Sequence, residues 1–233
     1  MLRKIIFKIG RKAYEKLITP FPYFDRFLRY RNPRKYWRDR GGSRYFEEQE
    51  GVHDRTIRSR FIASEIAKLD YRSILEIGCG YGKQLKNLCR EEIFVVGCDF
   101  SYPQLAKAKE HCQGLKIWLV EGDGAKLPFR DRSFDLVLSS AVILHNPFEK
   151  AREIISEMIR VSRKYIVHNE DTDITFSRYG YDMKKTYEKM NFKILKSGPI
   201  PAVSGSVITQ FVIAESPAPH RLIEPPSIAL QYH

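Results

Sequence analysis

The chain has 233 residues, 43% hydrophobic and 29% charged, with a formal net charge of +12. That is enough apolar chain for one sizeable core and at most a small appendage, and it excludes wholesale disorder. No apolar run reaches the ~18 residues of a membrane span, and the basic, apolar start from Met1 to Ile9 lacks the hydrophobic stretch and cleavage site expected of a secretory leader.

The charge is concentrated at one end. Residues 1–40 hold thirteen Lys/Arg against Glu15, Asp25 and Asp39, a net +10 of the chain's +12, so an anionic partner is expected to meet this arm. Residues 2–17 fit an amphipathic helix, with Leu2, Ile5, Ile6, Ile9, Ala13 and Leu17 on one side and Lys4, Lys8, Arg11, Lys12 and Lys16 on the other. Such a helix either lies on an anionic membrane surface or packs on its own domain with a solvated basic face. Thr19-Pro20-Phe21-Pro22 ends it. From Phe21 to Tyr45 aromatic residues interleave with arginines. That pattern stacks bases and holds phosphates of RNA, or forms a lid over a core. The four cysteines (Cys79, Cys89, Cys98 and Cys112) form no C-x-x-C and neighbour no His cluster, so no metal site is expected and reduced cytosolic thiols are.

Residues 53–69 are predicted as a helix carrying Phe61, Ile62, Ile66 and Leu69 on one stripe. Ile74-Leu75-Glu76-Ile77-Gly78-Cys79-Gly80-Tyr81-Gly82 follows, an apolar strand that ends in a carboxylate and then a tight glycine turn into a helix from Lys83 to Arg90. A dinucleotide-binding loop needs G-x-G-x-x-G. Here the third glycine comes one place early, and Glu76 would repel a phosphate. Its carboxylate suits a cation such as the ammonium of an amino-acid-like ligand. Ile93 to Asp99 is the second strand, ending in an acid 23 positions after Glu76, where a carboxylate can chelate two ribose hydroxyls. Phe100 follows, an apolar face for an adenine, and Ser101 and Pro103 supply an N-cap and an early-turn proline. Ile117 to Val120 is the third strand and Leu136 to Ser140 the fourth. Residues 149–163 form an amphipathic helix, and Tyr165 to Asp171 the fifth strand. Tyr181 to Met190 is the last helix, and Phe192 to Lys196 and Val207 to Ala214 a closing strand pair. Residues 216–233 read as a proline-rich extended tail.

Glu76 with G-x-G-x-G, then Gly122-Asp123-x-x-x-Leu127-Pro128-Phe129 and Ser133-Phe134-Asp135, resembles the successive motifs of the class I S-adenosylmethionine (SAM) dependent methyltransferases over residues 74–147. The resemblance implies an α/β fold. Its core is a doubly wound, Rossmann-like, mostly parallel seven-stranded sheet with an antiparallel last strand and helices on both faces. To that core this chain adds an N-terminal helical, aromatic and basic arm. It divides the chain into an arm and lid over residues 1–50, a SAM-binding domain over 51–215 and the tail over 216–233. It implies SAM as cofactor, held by Glu76, Gly78, Cys79, Gly80, Gly82, Asp99, Phe100, Asp123, Gly124, Ala125 and Ser139, with Asp123 on the adenine amino group and a neighbouring N–H of Gly124 or Ala125 on a ring nitrogen. The stretch Tyr36 to Tyr45 resembles the lid ahead of the core in small methyltransferases, which puts Arg40 or Tyr45 on the SAM carboxylate. His145 is expected near the methyl group, as base, acceptor-orienting group or cap. His168, Asn169, Glu170, Asp171 and Asp173 lie at the same edge of the sheet, facing the acceptor or forming a solvated loop.

Two features depart from the family pattern. The Lys-Pro-Gly-Gly turn before the fifth strand is replaced by Arg160 to Lys164. Ser139-Ser140-Ala141-Val142 stands where many base-modifying members carry N-P-P-Y or S-P-P-Y. The expected acceptor is a small molecule or sugar. RNA bound through residues 1–40, or a non-catalytic scaffold on RNA or membrane through residues 2–17, are the alternatives. The expected location is cytoplasmic or peripheral to a membrane.

Overall fold

The computed structural model describes residues 32–173, 178–200 and 209–216. The amphipathic segment 2–17, the aromatics before residue 32 and the tail beyond 216 lie outside the described residues.

Two short helices precede the core. Helix α1 (Pro33–Arg40) starts where Asn32 Oδ1 accepts the Lys35 N–H at 3.0 Å and proline occupies the first turn. Helix α2 (Ser43–Gln49) follows a Gly41-Gly42 turn. The core then alternates: α3 (His53–Ile66), β1 (Ser73–Ile77), α4 (Lys83–Leu88), β2 (Phe94–Asp99), α5 (Tyr102–His111), β3 (Ile117–Glu121) and β4 (Phe134–Ser140). A 3₁₀ turn (Ile143–His145), α6 (Phe148–Val161), β5 (Ser162–Asp171), α7 (Met183–Lys189), β6 (Lys193–Pro199) and β7 (Thr209–Glu215) complete it.

The strands form one sheet in the order β3-β2-β1-β4-β5-β7-β6. The first five are mutually parallel and β7 runs antiparallel to both neighbours. Parallel strands covered on both sides need apolar residues in succession rather than in alternation. Ile74, Leu75 and Ile77 in β1 and Leu136, Val137 and Leu138 in β4 meet that need, all almost fully buried. Ile74, Val95, Leu136 and Val167 face α3 and α4 through Ile62, Ile66, Leu85 and Leu88. Leu75, Val96, Val137 and Ile166 face α6 and α7 through Ile154, Ile155, Met158 and Tyr187. In α6 the buried positions 151, 154, 155, 158 and 159 follow the helical repeat.

The missing Lys-Pro-Gly-Gly turn has a simple replacement. Helix α6 ends at Val161, Ser162 is its C-cap, and the strand begins at Ser162 itself, three residues before the expected Tyr165. Helix α7 is two residues shorter at its start than the periodicity suggested, because Asp182 caps it through the Lys185 N–H at 3.0 Å.

Asp135, from the Ser-Phe-Asp motif, sits at the amino end of the sheet, away from the cofactor edge. It accepts the Arg72 N–H at 2.9 Å, the Ser73 hydroxyl at 3.2 Å and an Arg163 N–H at 2.9 Å. Burial pulls its pKa up, but these donors outweigh it and hold the carboxyl below its ordinary value. Asp135→Ala removes the acceptor of three donors that keep some access to water, at about 0.5–1.5 kcal/mol each. It should lower the melting temperature by roughly 5–10 °C, read by thermal unfolding, while SAM affinity changes little.

Candidate active site

The site forms at the carboxyl ends of β1, β2, β3 and β4, where an open parallel sheet presents its ligand crevice. Gly78, Gly80 and Gly82 all have left-handed backbone, with φ of 65°, 54° and 81°. The loop is tied to the neighbouring strand because the Gly78 and Cys79 N–H groups both donate to the Cys98 carbonyl, at 2.7 and 3.2 Å.

Asp99 stands between the other two acids, its charge acting on Glu76 and, with that of Asp123, on Cys98. Asp99 accepts the Gly80 N–H at 2.9 Å on one oxygen and the Ser101 N–H at 2.8 Å on the other. Burial pushes it up to about 6. Glu76 is 3% exposed, and burial followed by the Asp99 charge pushes its pKa well up. Its Oε2 has no hydrogen-bond partner. Asp123 is held low: burial opposes ionisation, but the Ala125 N–H at 3.0 Å, Arg34 at 2.9 Å and Lys150 at 3.3 Å prevail. Asp99 and Asp123 both act on Cys98, whose thiol burial and these charges push up to about 12. Phe100, Glu121, Gly122, Asp123 and Arg34 line a cleft of about 360 Å3 beside them. Gly124 packs its α-carbon on Ile77, where a Cβ would come within 2.8 Å of Ile77 Cγ2. Gly82 packs in the same way against Cys112, and its backbone opens α4.

This arrangement fits a nucleoside-bearing amino acid. A buried carboxylate oxygen without a donor awaits a cation. Asp99 presents its carboxylate at the loop, and the Phe100–Asp123 cleft offers an apolar face and an acceptor to a base. The Arg34 side chain is 60% exposed, and an ion pair that exposed is worth about 0–1 kcal/mol, so an incoming base can replace it. Cys79 is 6% exposed, with its thiol raised by burial. It fills space under the loop as a small apolar side chain.

The lid covers this edge. Trp37 in α1 meets the His145 ring edge-on at 5.2 Å and the Tyr45 ring at 5.6 Å. Its carbonyl accepts the Ser101 hydroxyl at 3.2 Å. Ser101 thus holds the N-cap position of α5, but its hydroxyl ties down the lid rather than capping the helix. Gln104 Oε1 accepts the Gly42 N–H at 3.3 Å. A Cβ on Gly41 would come within 2.7 Å of the Trp37 carbonyl and 2.9 Å of Ser101 Oγ, which is why glycine follows the helix. Arg40 donates to the Tyr36 hydroxyl and to Glu48, both at 2.7 Å, and its guanidinium lies 5.5 Å from the Tyr45 ring centre. Tyr45 is itself half-buried, and burial raises its phenol. Both residues expected on the SAM carboxylate therefore stand inside the lid's own network.

Ser139, expected on the cofactor, is fully buried and donates to Glu170 at 2.8 Å. Among the residues of the fifth strand's carboxyl end, the solvated-loop expectation fails. His168, Asn169, Glu170 and Asp171 are each 1% exposed or less, because β5 lies between β4 and β7 and stays paired out to Asp171–Thr209. His168 meets the Tyr187 hydroxyl at 2.8 Å, and burial drops its pKa to about 3. Asp171 accepts from Thr209 at 2.9 Å and from Arg178. Arg34, Gln104 and Lys150 were not legible as site residues, since single polar residues in amphipathic helices carry no signal. Among the described residues no cluster of His, Cys, Asp and Glu suits a metal ion.

The strand order and the glycine loop after β1 are those of the class I SAM-dependent methyltransferase fold. Residues 74–165, about two fifths of the chain, match the family described as "Methyltransferase domain", whose cofactor is SAM. Over 90 residues the chain is 38% identical to the human "Probable tRNA methyltransferase 9B", a match covering 38% of this chain and 18% of that protein. Over 95 residues it is 35% identical to a phosphatidylethanolamine N-methyltransferase of Cereibacter sphaeroides, covering 39% of this chain and 45% of that one. The chain thus spans less than half the length of these curated relatives. The fold is shared with the SAM-bound magnesium protoporphyrin IX methyltransferase of Synechocystis, at TM-score 0.62 and 19% identity, over 83% of this chain and 97% of that one.

Proposed function

We propose that this protein transfers the methyl group of SAM to a small-molecule or sugar-type acceptor by in-line displacement. The observation that carries this reading is the lid. Trp37 is anchored at Ser101 after β2 and packs on His145 after β4, so the crevice is roofed across its width, as a small acceptor needs for water to be excluded. Bound SAM supplies an electrophilic methyl group. The chain supplies the rest: Glu76 takes the ammonium, Asp99 the ribose hydroxyls, and Asp123 with the Ala125 N–H the adenine edge. The glycine loop admits the amino-acid portion. Aligning donor and acceptor under the roof accounts for most of the acceleration. An imidazole nitrogen of His145 takes the proton of an acceptor hydroxyl or amine as the new bond forms.

The second reading is an RNA acceptor, favoured by the net +10 on residues 1–40 and by relatives named as tRNA methyltransferases. Among the described residues no helix is long and apolar enough to cross a membrane. A cytoplasmic placement, with residues 2–17 touching an anionic membrane, belongs to the same proposal. The test incubates the protein with methyl-labelled SAM and fractionated cell extract. Label in the small-molecule fraction is expected. Label in a ribonuclease-sensitive fraction, falling steeply as salt rises, would replace the small acceptor with RNA.

A further inference from the structure

We propose that Glu170 is a positioning residue, whose carboxylate sets the turn after β4 and through it both walls of the SAM site; this rests on the methyltransferase reading above. The side chain is fully buried. One oxygen accepts the Ser139 hydroxyl at 2.8 Å and the Val142 and Ile143 N–H groups at 3.2 Å, and the other accepts the Leu144 N–H at 3.1 Å. These three N–H groups open the 3₁₀ turn, where no intrahelical partner exists. A residue 26 to 28 positions away along the chain thus does what a local capping side chain ordinarily does.

The turn needs holding. Ala141 has a φ of 57°, a conformation that a residue with a Cβ disfavours. What the turn places is functional on two sides. Val142 lies so close to Gly78 that a Cβ there would come within 2.4 Å of Val142 Cγ2, so the turn is the wall against which the cofactor loop rests. Three residues on, His145 meets Trp37 of the lid. A carboxylate suits this role because four donors point at two acceptor oxygens. A glutamine would offer one acceptor oxygen and set an N–H₂ against a backbone N–H.

The test compares wild type with Glu170→Gln in the full chain, by calorimetric titration with SAM and by hydrogen exchange of the 142–144 amides. The expected result is SAM affinity about tenfold weaker or more, the loss of roughly one charge-assisted hydrogen bond, with exchange at 142–144 at least about tenfold faster and α6 amides unchanged. Unchanged affinity with unchanged exchange would overturn the proposal. If Glu170→Gln does not fold, Ser139→Ala removes one of the four donors. It should then accelerate the same amides several-fold, and no acceleration would overturn the proposal equally. A wild-type protein that is folded but takes up no SAM would sink the methyltransferase reading and with it the coupling to the cofactor. Exchange in the unliganded pair still decides whether Glu170 sets the turn.

Discussion

Asp99→Ala is expected to weaken SAM binding by about two orders of magnitude, with the fold retained. Two losses add up. The carboxylate no longer meets the ribose hydroxyls, and a hydrogen bond to a charged group is worth about 1.5–3 kcal/mol. The Gly80 and Ser101 N–H groups lose their acceptor at the same time, so the loop that should receive the amino-acid portion is freed. Asp99→Asn separates the effects, since an amide keeps one acceptor oxygen; its loss should be smaller, about tenfold. The same residue gives a pH signature. With its pKa raised to about 6 by burial, Asp99 is ionised at pH 8 and increasingly protonated below 6. Binding that requires the ionised form then falls as pH drops through 6, approaching one decade per pH unit. Glu76 is also shifted upward, and burial raises Glu170 to about 7, so both extend the fall toward neutral pH. The difference between wild type and Asp99→Asn isolates the Asp99 contribution. A wild-type affinity that rises on acidification would contradict the assignment.

Two glycines two positions apart, Gly78 and Gly80, should fail in different ways. At Gly78, alanine meets a φ of 65° and places its Cβ 2.4 Å from Val142 Cγ2. Left-handed backbone costs about 1–2 kcal/mol, and overpacking a further 1–3 kcal/mol, so the melting temperature should fall by roughly 5–15 °C. At Gly80 the φ is 54°, but the nearest atom to an added Cβ is Gln104 Nε2 at 3.8 Å. Alanine there carries only the backbone strain, about 1–2 kcal/mol, or a few degrees of melting temperature. Its Cβ instead enters the open space where the ligand approaches. Gly80→Ala should therefore fold well and bind SAM at least about thirtyfold more weakly. Parallel thermal unfolding and SAM titration of both variants read this contrast. If Gly80→Ala bound as wild type does, the space above the loop would not be the ligand's.

Much of this was legible in the sequence because it depends on local rules. The apolar runs around 74–77, 93–98 and 136–138 read as strands covered on both faces. Glycines at 78, 80 and 82 mark backbone that other residues avoid, and acids at 76, 99 and 123 mark the strand ends. The lid was legible as a string, Trp37 to Tyr45, but its anchoring was not. That Ser101 would bind a carbonyl of α1 instead of its own helix depends on packing between segments 64 residues apart, and that Arg40 would turn to Tyr36 and Glu48 depends on how α1 and α2 fold against each other. Glu170 shows the same limit. As one acid among several after an apolar strand it reads as exposed. Only the pairing of β5 between β4 and β7 buries it, and only the fold of the distant 142–144 turn gives it partners. Residues whose role is set by long-range pairing leave no periodicity or spacing to read.

The central claim is that Glu76, Asp99 and Asp123 form one site for SAM. Calorimetric titration of the purified full chain with SAM at pH 8 tests it most directly. The predicted result is saturable one-to-one binding in the micromolar range, competed by S-adenosylhomocysteine and lost in Asp99→Ala. Folded protein that gives no binding heat, or binding left intact in Asp99→Ala, would contradict it.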